Sequence, residues 1–340
     1  MKLETVGIKS IGYYIPSASL TSEQMAKLSG LAVEVFTEKI GIKKKPIASG
    51  NEHPSDMGIK AANAAIAKAE ISPEQIGLVA YCAAGDYDYR FWSPAAKIQN
   101  AIGAKQACAF EVKNFCNSGN LGLHICRNML LADPELFYAL IVCSDKLSSL
   151  LNYKDLDCLS VFTMADGAVA AILKKGEPTN QILCYHGITN GEMVDALKVP
   201  LAGTKFPLSS PEINWELSYL KVENPKELEK ILSDVYLVNY QKVIHSSLKK
   251  SGYTPEQVDF LLINQVKKSL SRQILSCLGL NESQTFNSLG EYGHLGAVDT
   301  LFGLAKTLEQ GKIQPGSLVV LASSAAGFSW AALTVKYQEV

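Results

Sequence analysis

The sequence predicts a layered α/β fold made of two related halves. Apolar segments of strand length alternate with helical segments along the 340 residues, a pattern typical of sheets covered by helices. Residues 72–82 begin Ser-Pro-Glu-Gln-Ile, and residues 254–264 begin Thr-Pro-Glu-Gln-Val. The second segment begins 182 residues after the first, just over half the chain length. A repeat of this length indicates a duplicated fold whose halves meet, so that a site there draws residues from both.

The first half is predicted to contain five strands and four helices. Thr21 and Gln24 have the spacing of a capping box, which starts the first helix. The stretch 86–94 is a polar, aromatic loop. Hydrophobic periodicity predicts the remaining helices over 55–70, 95–103 and 117–132, and strands over 4–14, 76–82, 107–113, 138–144 and 167–173.

The second half repeats this alternation after an irregular stretch. Residues 190–224 have mixed polarity and three prolines, and they are either an insertion that covers a pocket or a surface excursion. The elements predicted around it are strands over 181–188, 258–263, 317–323 and 329–337, with helices over 226–251, 267–279 and 295–310.

Composition excludes several classes of protein. Hydrophobic residues make up 47% and charged residues 19% of a chain with net charge −1, which indicates a folded protein with no global field for nucleic acid. The start has no signal-peptide pattern, and no window is apolar enough to span a membrane. The eight cysteines show neither Cys-x-x-Cys nor metal-ligand spacing. We therefore expect a cytoplasmic, reduced protein without a metal site.

Although the net charge of the chain is close to zero, the sequence contains three short clusters of basic residues. They are either solvated surface or a docking patch for phosphates or an acidic carrier protein. The clusters are Lys43–Lys45, Lys249 with Lys250, and Lys267 and Lys268 with Arg272.

Cys116 lies where a predicted strand runs into a predicted helix. A thiol at a helix N-terminus faces the positive end of the helix dipole and free backbone N–H groups, and both favour the thiolate. Gly119 and Gly122 would allow another element to cross this helix closely. The context indicates either a nucleophile or a buried structural cysteine.

Several segments together give the chain a resemblance to a known family. They are 92–103, 109–116, 139–145, 165–173 and 326–331, and in this order they resemble the thiolase superfamily, most closely the β-ketoacyl-acyl-carrier-protein synthase III (KAS III) group. The resemblance implies a duplicated αβαβα layered fold and a homodimer. It implies an N-terminal half, 1–175, with the acylated nucleophile Cys116, and a C-terminal half, 176–340, with Asn264 and His294.

The family's catalytic His and Asn have exchanged places in this chain. Asn264 lies where the family has His, and His294 lies where the family has Asn. Two N–H donors would still stabilise the enolate formed in a decarboxylative condensation. Transfer to an amine or alcohol instead needs a base, for which His294 would serve, with Asp299 setting its tautomer. The structural alternatives are a packing histidine, an Asn that ties a turn, and an Asp that caps a helix or faces solvent.

The resemblance also assigns the groups that bind the substrate. The backbone N–H groups of Cys116 and Ala326 would form the oxyanion hole, provided that the alanines of the turn 324–328 have negative φ. Trp92, Phe328 and Lys39 are the expected substrate-binding side chains. Lys267, Lys268 and Arg272 are the expected carrier-docking residues, unless they are ordinary surface charges.

The residues expected to bind coenzyme A also differ from the family pattern. Val35 replaces a Trp that stacks on coenzyme A, and Cys158 replaces a flanking Arg. These changes favour an acyl carrier protein phosphopantetheine over acyl-CoA as donor. No cofactor is expected to stay bound.

The most direct interpretation is a KAS III-like acyltransferase of specialised metabolism. Cys116 would take an acyl group from a thioester and pass it to a malonyl-type or related acceptor by carbon–carbon bond formation. Three alternatives remain: an acyltransferase that makes esters or amides without decarboxylation, a catalytically silent partner subunit of another ketosynthase, and a cysteine hydrolase.

Overall fold

The structure, a computed structural model, describes residues 4–338. The strands are β1 (Val6–Tyr14), β2 (Ser19–Thr21), β3 (Lys44–Pro46), β4 (Ile76–Ala83), β5 (Cys108–Lys113), β6 (Tyr138–Lys146), β7 (Asp166–Lys175), β8 (Gln181–Thr189), β9 (Leu197–Lys198), β10 (Lys221–Val222), β11 (Phe260–Ile263), β12 (Leu318–Ala325) and β13 (Ser329–Lys336). The α-helices are α1 (Ser22–Ser29), α2 (Pro54–Ala69), α3 (Pro94–Ile102), α4 (Ser118–Ala132), α5 (Pro225–Ser251), α6 (Lys268–Cys277), α7 (Leu289–Tyr292) and α8 (Asp299–Glu309).

Nine strands form one continuous sheet in the order β11-β12-β13-β8-β1-β7-β6-β4-β5. In the first half, β1, β7 and β6 are antiparallel neighbours, and β4 and β5 continue parallel to β6. In the second half, β8, β13 and β12 are antiparallel neighbours, and β11 continues parallel to β12. The four strands β8, β13, β12 and β11 repeat the order and directions of β1, β7, β6 and β4, which confirms the predicted duplication, while β5 has no counterpart among the described strands of the second half. The halves join where Gly7 of β1 pairs with Gln181 of β8.

The repeated sequence segments occupy equivalent places in the two halves. Each is a single 3-10 turn followed by a parallel strand, Pro73–Gln75 before β4 and Pro255–Gln257 before β11. In both copies the Gln side chain accepts a hydrogen bond from the backbone N–H three residues earlier, at 3.0 Å from Ser72 and 2.9 Å from Thr254. A shared capping box therefore fixes how each chain enters its strand.

Helices cover both faces of each half and create a layered arrangement. α2 and α3 pack on the outer face of the first half, and α5 and α6 on the outer face of the second. α4 and α8 lie in the cluster between the halves, where Leu123 and Phe302 are fully buried. The two halves of the sheet thus form two β layers that alternate with three helical layers, which is the predicted αβαβα arrangement. The proposed division between 175 and 176 stays a prediction.

The irregular stretch 190–224 packs on the first half. Its short strands β9 and β10 pair antiparallel, and its apolar side chains join a cluster with Phe36 and Phe162. The other predicted helices and strands are confirmed within a few residues, including α1 with its Thr21–Gln24 capping box. The sequence did not predict β2, β3 or the π-helical turn Val35–Ile40.

Lys45 corrects the prediction for the basic cluster 43–45. Its side chain is fully buried rather than solvated or available for docking. Nζ donates to the carbonyl of Phe162 at 2.7 Å and to the carbonyl of Met164. Two carbonyl acceptors satisfy the buried ammonium group, so it holds the chain around Thr163 in place.

Within residues 4–338, no helix combines the length and apolar character needed to cross a membrane.

Candidate active site

A cavity of about 460 Å³ lies where the two halves meet. Cys116 and His294 both line it, as does Asn264. Much of the remaining wall is apolar, and it includes residues of the 190–224 stretch and of α5. These residues are Val194, Leu197, Val199, Leu220, Val222, Leu228 and Leu232. The predicted insertion therefore forms part of a pocket wall, and such a wall suits an acyl chain.

Cys116 lies in a tight turn between β5 and α4. The turn Phe115–Asn117 is a 3-10 turn, and Phe115 has a φ of +48°, a left-handed conformation that bulky residues rarely adopt. The backbone N–H of Asn114 donates to Ser118 Oγ at 2.7 Å and stabilises the turn. The thiol therefore lies at the N-terminal end of a long helix and remains half-buried.

The two glycines of α4 allow close packing behind Cys116. A Cβ atom at Gly119 would lie 2.9 Å from the carbonyl oxygen of Ala297, and one at Gly122 would lie 2.3 Å from Cys82 Sγ. Both distances are shorter than real Cβ contacts. Glycine is therefore required for α4 to lie against β4 and the 3-10 turn Gly296–Val298 that follows His294.

His294 is held by backbone pairing with the segment 163–165. Its N–H donates to Thr163 O at 2.8 Å, and its carbonyl accepts from Ala165 N–H at 2.9 Å. This pairing places Nε2 at 3.3 Å from Cys116 Sγ. The sulfur and the imidazole, supplied by different halves, are therefore in direct contact.

Asp299 contacts the other nitrogen of the same imidazole. Its Oδ2 lies 2.5 Å from His294 Nδ1, and the carboxylate is buried. The backbone N–H of Leu295 donates to Oδ1 at 3.0 Å, and that of Gln265 donates to Oδ2 at 2.8 Å. Asp299 thus fixes the ring orientation and completes a Cys–His–Asp row. It neither faces solvent nor acts only as a helix cap.

The charges in this row hold a proton on His294. Burial alone would lower the pKa of His294, but the negative charges of Cys116 and Asp299, with their hydrogen bonds, raise it well above its usual range. A protonated imidazole beside Sγ favours the thiolate form of the nucleophile.

Asn264 uses its amide to join two strand ends. Its Nδ2 donates to Ser324 O at 3.0 Å, and its Oδ1 accepts from Ser324 N–H at 3.1 Å. The hydroxyl of Tyr240 donates to the same Oδ1 at 2.5 Å. The side chain therefore extends the pairing of β11 with β12. A catalytic role for Asn264 stays a prediction, and the observed contacts are those of the structural alternative.

The turn 324–328 has the backbone that the alanine substitutions require. Ala325 and Ala326 are not among the described residues with positive φ, whereas Gly327 has a φ of +123°. Ala326 and Cys116 line the same cavity. The assignment of their N–H groups as an oxyanion hole remains a prediction that this turn accommodates.

The other predicted residues fall into two groups. Phe328 is buried and lines the cavity. Trp92 does not line it, because its ring packs edge-on against Tyr89, 5.5 Å between centroids. Lys39 is exposed on the π-helical turn and is likewise absent from the cavity wall. The residues predicted to dock a carrier, Lys267, Lys268 and Arg272, are exposed, and Arg272 is paired with Glu282.

Sequence reasoning missed several residues that shape the site. Asp145 accepts backbone N–H groups from Ala84, Gly85 and Ala297 and thereby holds the loop after His294; burial raises its pKa to about 6. Tyr236 lines the cavity from α5. The spacing of Tyr236 and Tyr240, one helical turn apart, was the available signal that both face the same side.

Two family models match separate parts of the chain. Residues 110–191 match the family model for 3-oxoacyl-[acyl-carrier-protein (ACP)] synthase III, and residues 248–337 match the model for its C-terminal part. The β-ketoacyl-[acyl-carrier-protein] synthase III of Natranaerobius thermophilus is 26% identical over 97% of this chain and 98% of its own length. That of Clostridium tetani is 28% identical over 99% of this chain and 100% of its own.

Solved structures show the same architecture. The 3-oxoacyl-[acyl-carrier-protein] synthase III of Aquifex aeolicus superposes with a TM-score of 0.85 at 23% identity, over 98% of this chain and 100% of that one. The fold and these matches define a condensing enzyme of the acyltransferase type with the thiolase fold. The chain belongs to the 3-oxoacyl-[acyl-carrier-protein] synthase III family.

Proposed function

We propose that Cys116 accepts an acyl group from a thioester and transfers it to a malonyl-type acceptor by carbon–carbon bond formation. The supporting observation is the 3.3 Å contact between Cys116 Sγ and His294 Nε2 inside a cavity formed by both halves. A silent partner subunit would have no need of a thiol held against an Asp-oriented imidazole. The exchange of Asn264 and His294 relative to the family supports a place in specialised metabolism.

The first half-reaction forms an acyl-enzyme. The Cys116 thiolate attacks the thioester carbonyl, and the resulting oxyanion accepts hydrogen bonds from the backbone N–H groups of Cys116 and Ala326. When the tetrahedral intermediate collapses, the bond to the departing sulfur breaks and His294 supplies that thiolate with a proton. The products are an acyl thioester on Cys116 and a free thiol.

The second half-reaction consumes a malonyl thioester. Loss of CO₂ leaves an enolate, whose carbon attacks the acyl carbonyl on Cys116. Collapse of this intermediate breaks the Cys116 C–S bond and restores the thiolate. After loading, His294 regains a proton from solvent, which the negative charge of Asp299 favours, and the ring then donates a hydrogen bond to the enolate oxygen.

The Asp299–His294 contact also favours a second candidate, acyl transfer without decarboxylation. Asp299 accepts the Nδ1 proton, so a neutral His294 presents the lone pair of Nε2 toward the cavity. That lone pair would remove a proton from an amine, an alcohol or an acidic carbon. The acceptor then forms an amide, an ester or a carbon–carbon bond, and no CO₂ is released.

The acyl donor is proposed to be a carrier-protein phosphopantetheine or acyl-CoA, with no cofactor retained. The curated relatives are named for an acyl carrier protein. Lys267, Lys268 and Arg272 lie exposed near the start of α6 and supply positive charge for docking an acidic carrier. We further propose a homodimer, as the resemblance implies.

Mass spectrometry of the intact protein tests the proposal. Incubation with acyl-CoA and acyl-carrier-protein donors is expected to add one acyl mass to the wild type and none to Cys116→Ala. Cys277→Ala, which alters an exposed cysteine, is the matched control and should load normally. Acylation that persists in Cys116→Ala would refute the nucleophile. Release of CO₂ from a malonyl thioester separates the first candidate from the second.

A further inference from the structure

A second polar cluster faces the cavity beside the Cys116–His294 pair. Tyr236 and Ser324 both line the cavity, and their hydroxyl groups are hydrogen-bonded to each other. Tyr240, one turn further along α5, is fully buried and donates to Asn264 instead. Of these two tyrosines, therefore, only Tyr236 lines the cavity.

The hydrogen bonds of Asn264 leave it without a well-placed free donor. Its Oδ1 accepts from Tyr240 and from Ser324 N–H, and its Nδ2 donates to Ser324 O at 3.0 Å. The second Nδ2 hydrogen is directed toward Ser324 Oγ at a distance of 3.5 Å. The position predicted to supply the second donor to the enolate is thus engaged with protein atoms.

The Tyr236–Ser324 pair retains a donor that Asn264 lacks. Two hydroxyl groups have two hydrogens, and their mutual hydrogen bond uses one of them. Burial raises the pKa of Tyr236 to about 12 despite its hydrogen bond with Ser324. The phenol therefore keeps its proton at neutral pH and remains a neutral donor.

We propose that the Tyr236–Ser324 hydroxyl pair binds the carbonyl oxygen of the acceptor thioester and donates a hydrogen bond to it as it becomes an enolate oxygen. Tyr236 is then a catalytic residue of the transfer step, together with His294. Asn264 is a positioning residue that fixes Ser324 through the backbone. This inference rests on the proposed decarboxylative condensation and names the groups that contact its acceptor.

Replacement of Tyr236 by Phe tests the role with little change in packing. The ring lies 5.5 Å from the Tyr240 ring and 5.9 Å from the Trp330 ring, contacts that Phe retains. Loading of Cys116, read by intact mass, should stay within about twofold of wild type because the oxyanion hole of that step is backbone. CO₂ release from a malonyl-pantetheine thioester by the preloaded enzyme should fall about 10- to 100-fold.

Two further variants make the result specific. Ser324→Ala, which removes the other hydroxyl of the pair, should also slow CO₂ release while loading continues. Tyr253→Phe is the matched control, since Tyr253 packs near Lys336 and is not on the cavity wall. It should behave as wild type in both half-reactions.

Each outcome decides between the inference and its premise. A wild type that never gains acyl mass removes the proposed function, and with it the inference. A wild type that loads but releases no CO₂ overturns the inference and leaves the acyl-enzyme standing. Tyr236→Phe and Ser324→Ala variants that load and release CO₂ at wild-type rates overturn the inference alone. Equal losses in loading and CO₂ release, with a lowered melting temperature, indicate a structural role and also overturn it.

Discussion

Asp299 controls the charge of His294, and its replacement has a measurable consequence. Asp299→Asn keeps one carbonyl oxygen, which can accept from either Leu295 N–H or Gln265 N–H, and removes the negative charge that, together with that of Cys116, raises the pKa of His294. We expect Cys116 alkylation by iodoacetamide at pH 7 to slow severalfold and to recover as the pH rises, because a less basic imidazole supports the thiolate less well.

The control for this prediction is Asp195→Asn, which changes an exposed carboxylate with its side chain 81% accessible. Its alkylation profile should overlay that of the wild type. An Asp299→Asn profile that also overlays the wild type would show that Asp299 does not set the charge of the pair.

The buried amine of Lys45 is expected to make the free energy of unfolding depend on pH. Burial lowers its pKa from 10.5 to about 7, against the opposing charge of Asp166. Below pH 7 the folded and unfolded states both hold the proton. Between pH 7 and 10.5 only the unfolded state holds it, so the free energy of unfolding rises with pH, by at most about 1.4 kcal/mol per unit.

Lys45→Met isolates this contribution. The wild type and the variant are unfolded by urea at several pH values, and their difference in unfolding free energy is compared. We expect the difference to increase in favour of the wild type as the pH rises above 7. A constant difference across that range would mean that the buried amine keeps its proton.

Individual side chains show the limits of prediction from sequence. The thiol and the imidazole were identified because each lies in a short segment with family-like spacing, and the structure brings Cys116 and His294 together. Lys45 was misassigned because a run of three lysines contains no information about which side chain turns inward. That depends on carbonyls 117 and 119 residues away in the sequence.

The close packing of α4 against its neighbours requires glycine at the positions where it crosses them. Gly122→Ala would place a methyl group 2.3 Å from the sulfur of fully buried Cys82. Overpacking of this kind costs about 1–3 kcal/mol, and the better helix propensity of Ala returns about 1 kcal/mol. We expect net destabilisation, measured as a lower urea midpoint.

Gly50→Ala is the matched control, because a Cβ atom there meets nothing within 4 Å. It should leave the midpoint nearly unchanged. A Gly122→Ala variant as stable as Gly50→Ala would show that α4 shifts away from β4 at little cost.

Elements with strong periodicity were predictable, and irregular ones were not. β4, β6 and β7 are buried apolar runs and α2 is Ala-rich, so hydrophobic patterning gives their positions. The stretch 190–224 has strands of only two residues, β9 and β10, which persist because tertiary contacts bury them. No local pattern predicts such contacts.

The duplication was visible in the whole sequence because both copies retain the same capping box and strand. Its consequence, a sheet with the same strand order in both halves, followed from that repeat. Most polar contacts between the halves did not follow, since they join residues far apart in the sequence, 203 positions in the 3.1 Å hydrogen bond from Asn120 Nδ2 to Ser323 Oγ.

These contacts predict that the molecule unfolds as one cooperative unit. The central cluster mixes residues of both halves, such as Leu123 with Phe302, and buried Asn120 also accepts from Thr300 Oγ1 of the second half at 3.1 Å. Neither half keeps its core without the other. Calorimetry at fixed protein concentration should show a single transition with equal calorimetric and van't Hoff enthalpies.

Asn120→Ala provides the sharper form of this test. Loss of its buried hydrogen bonds removes the acceptor of the Thr300 hydroxyl and one of the two hydrogen bonds of Ser323, which keeps Asn117, and costs about 1–3 kcal/mol. If the halves are coupled, the whole transition moves to lower temperature and stays single. Asn128→Ala, which removes an exposed hydrogen bond to His124, should not move it. Two separate transitions in the wild type, or splitting in Asn120→Ala, would show that the halves fold independently despite the shared cavity.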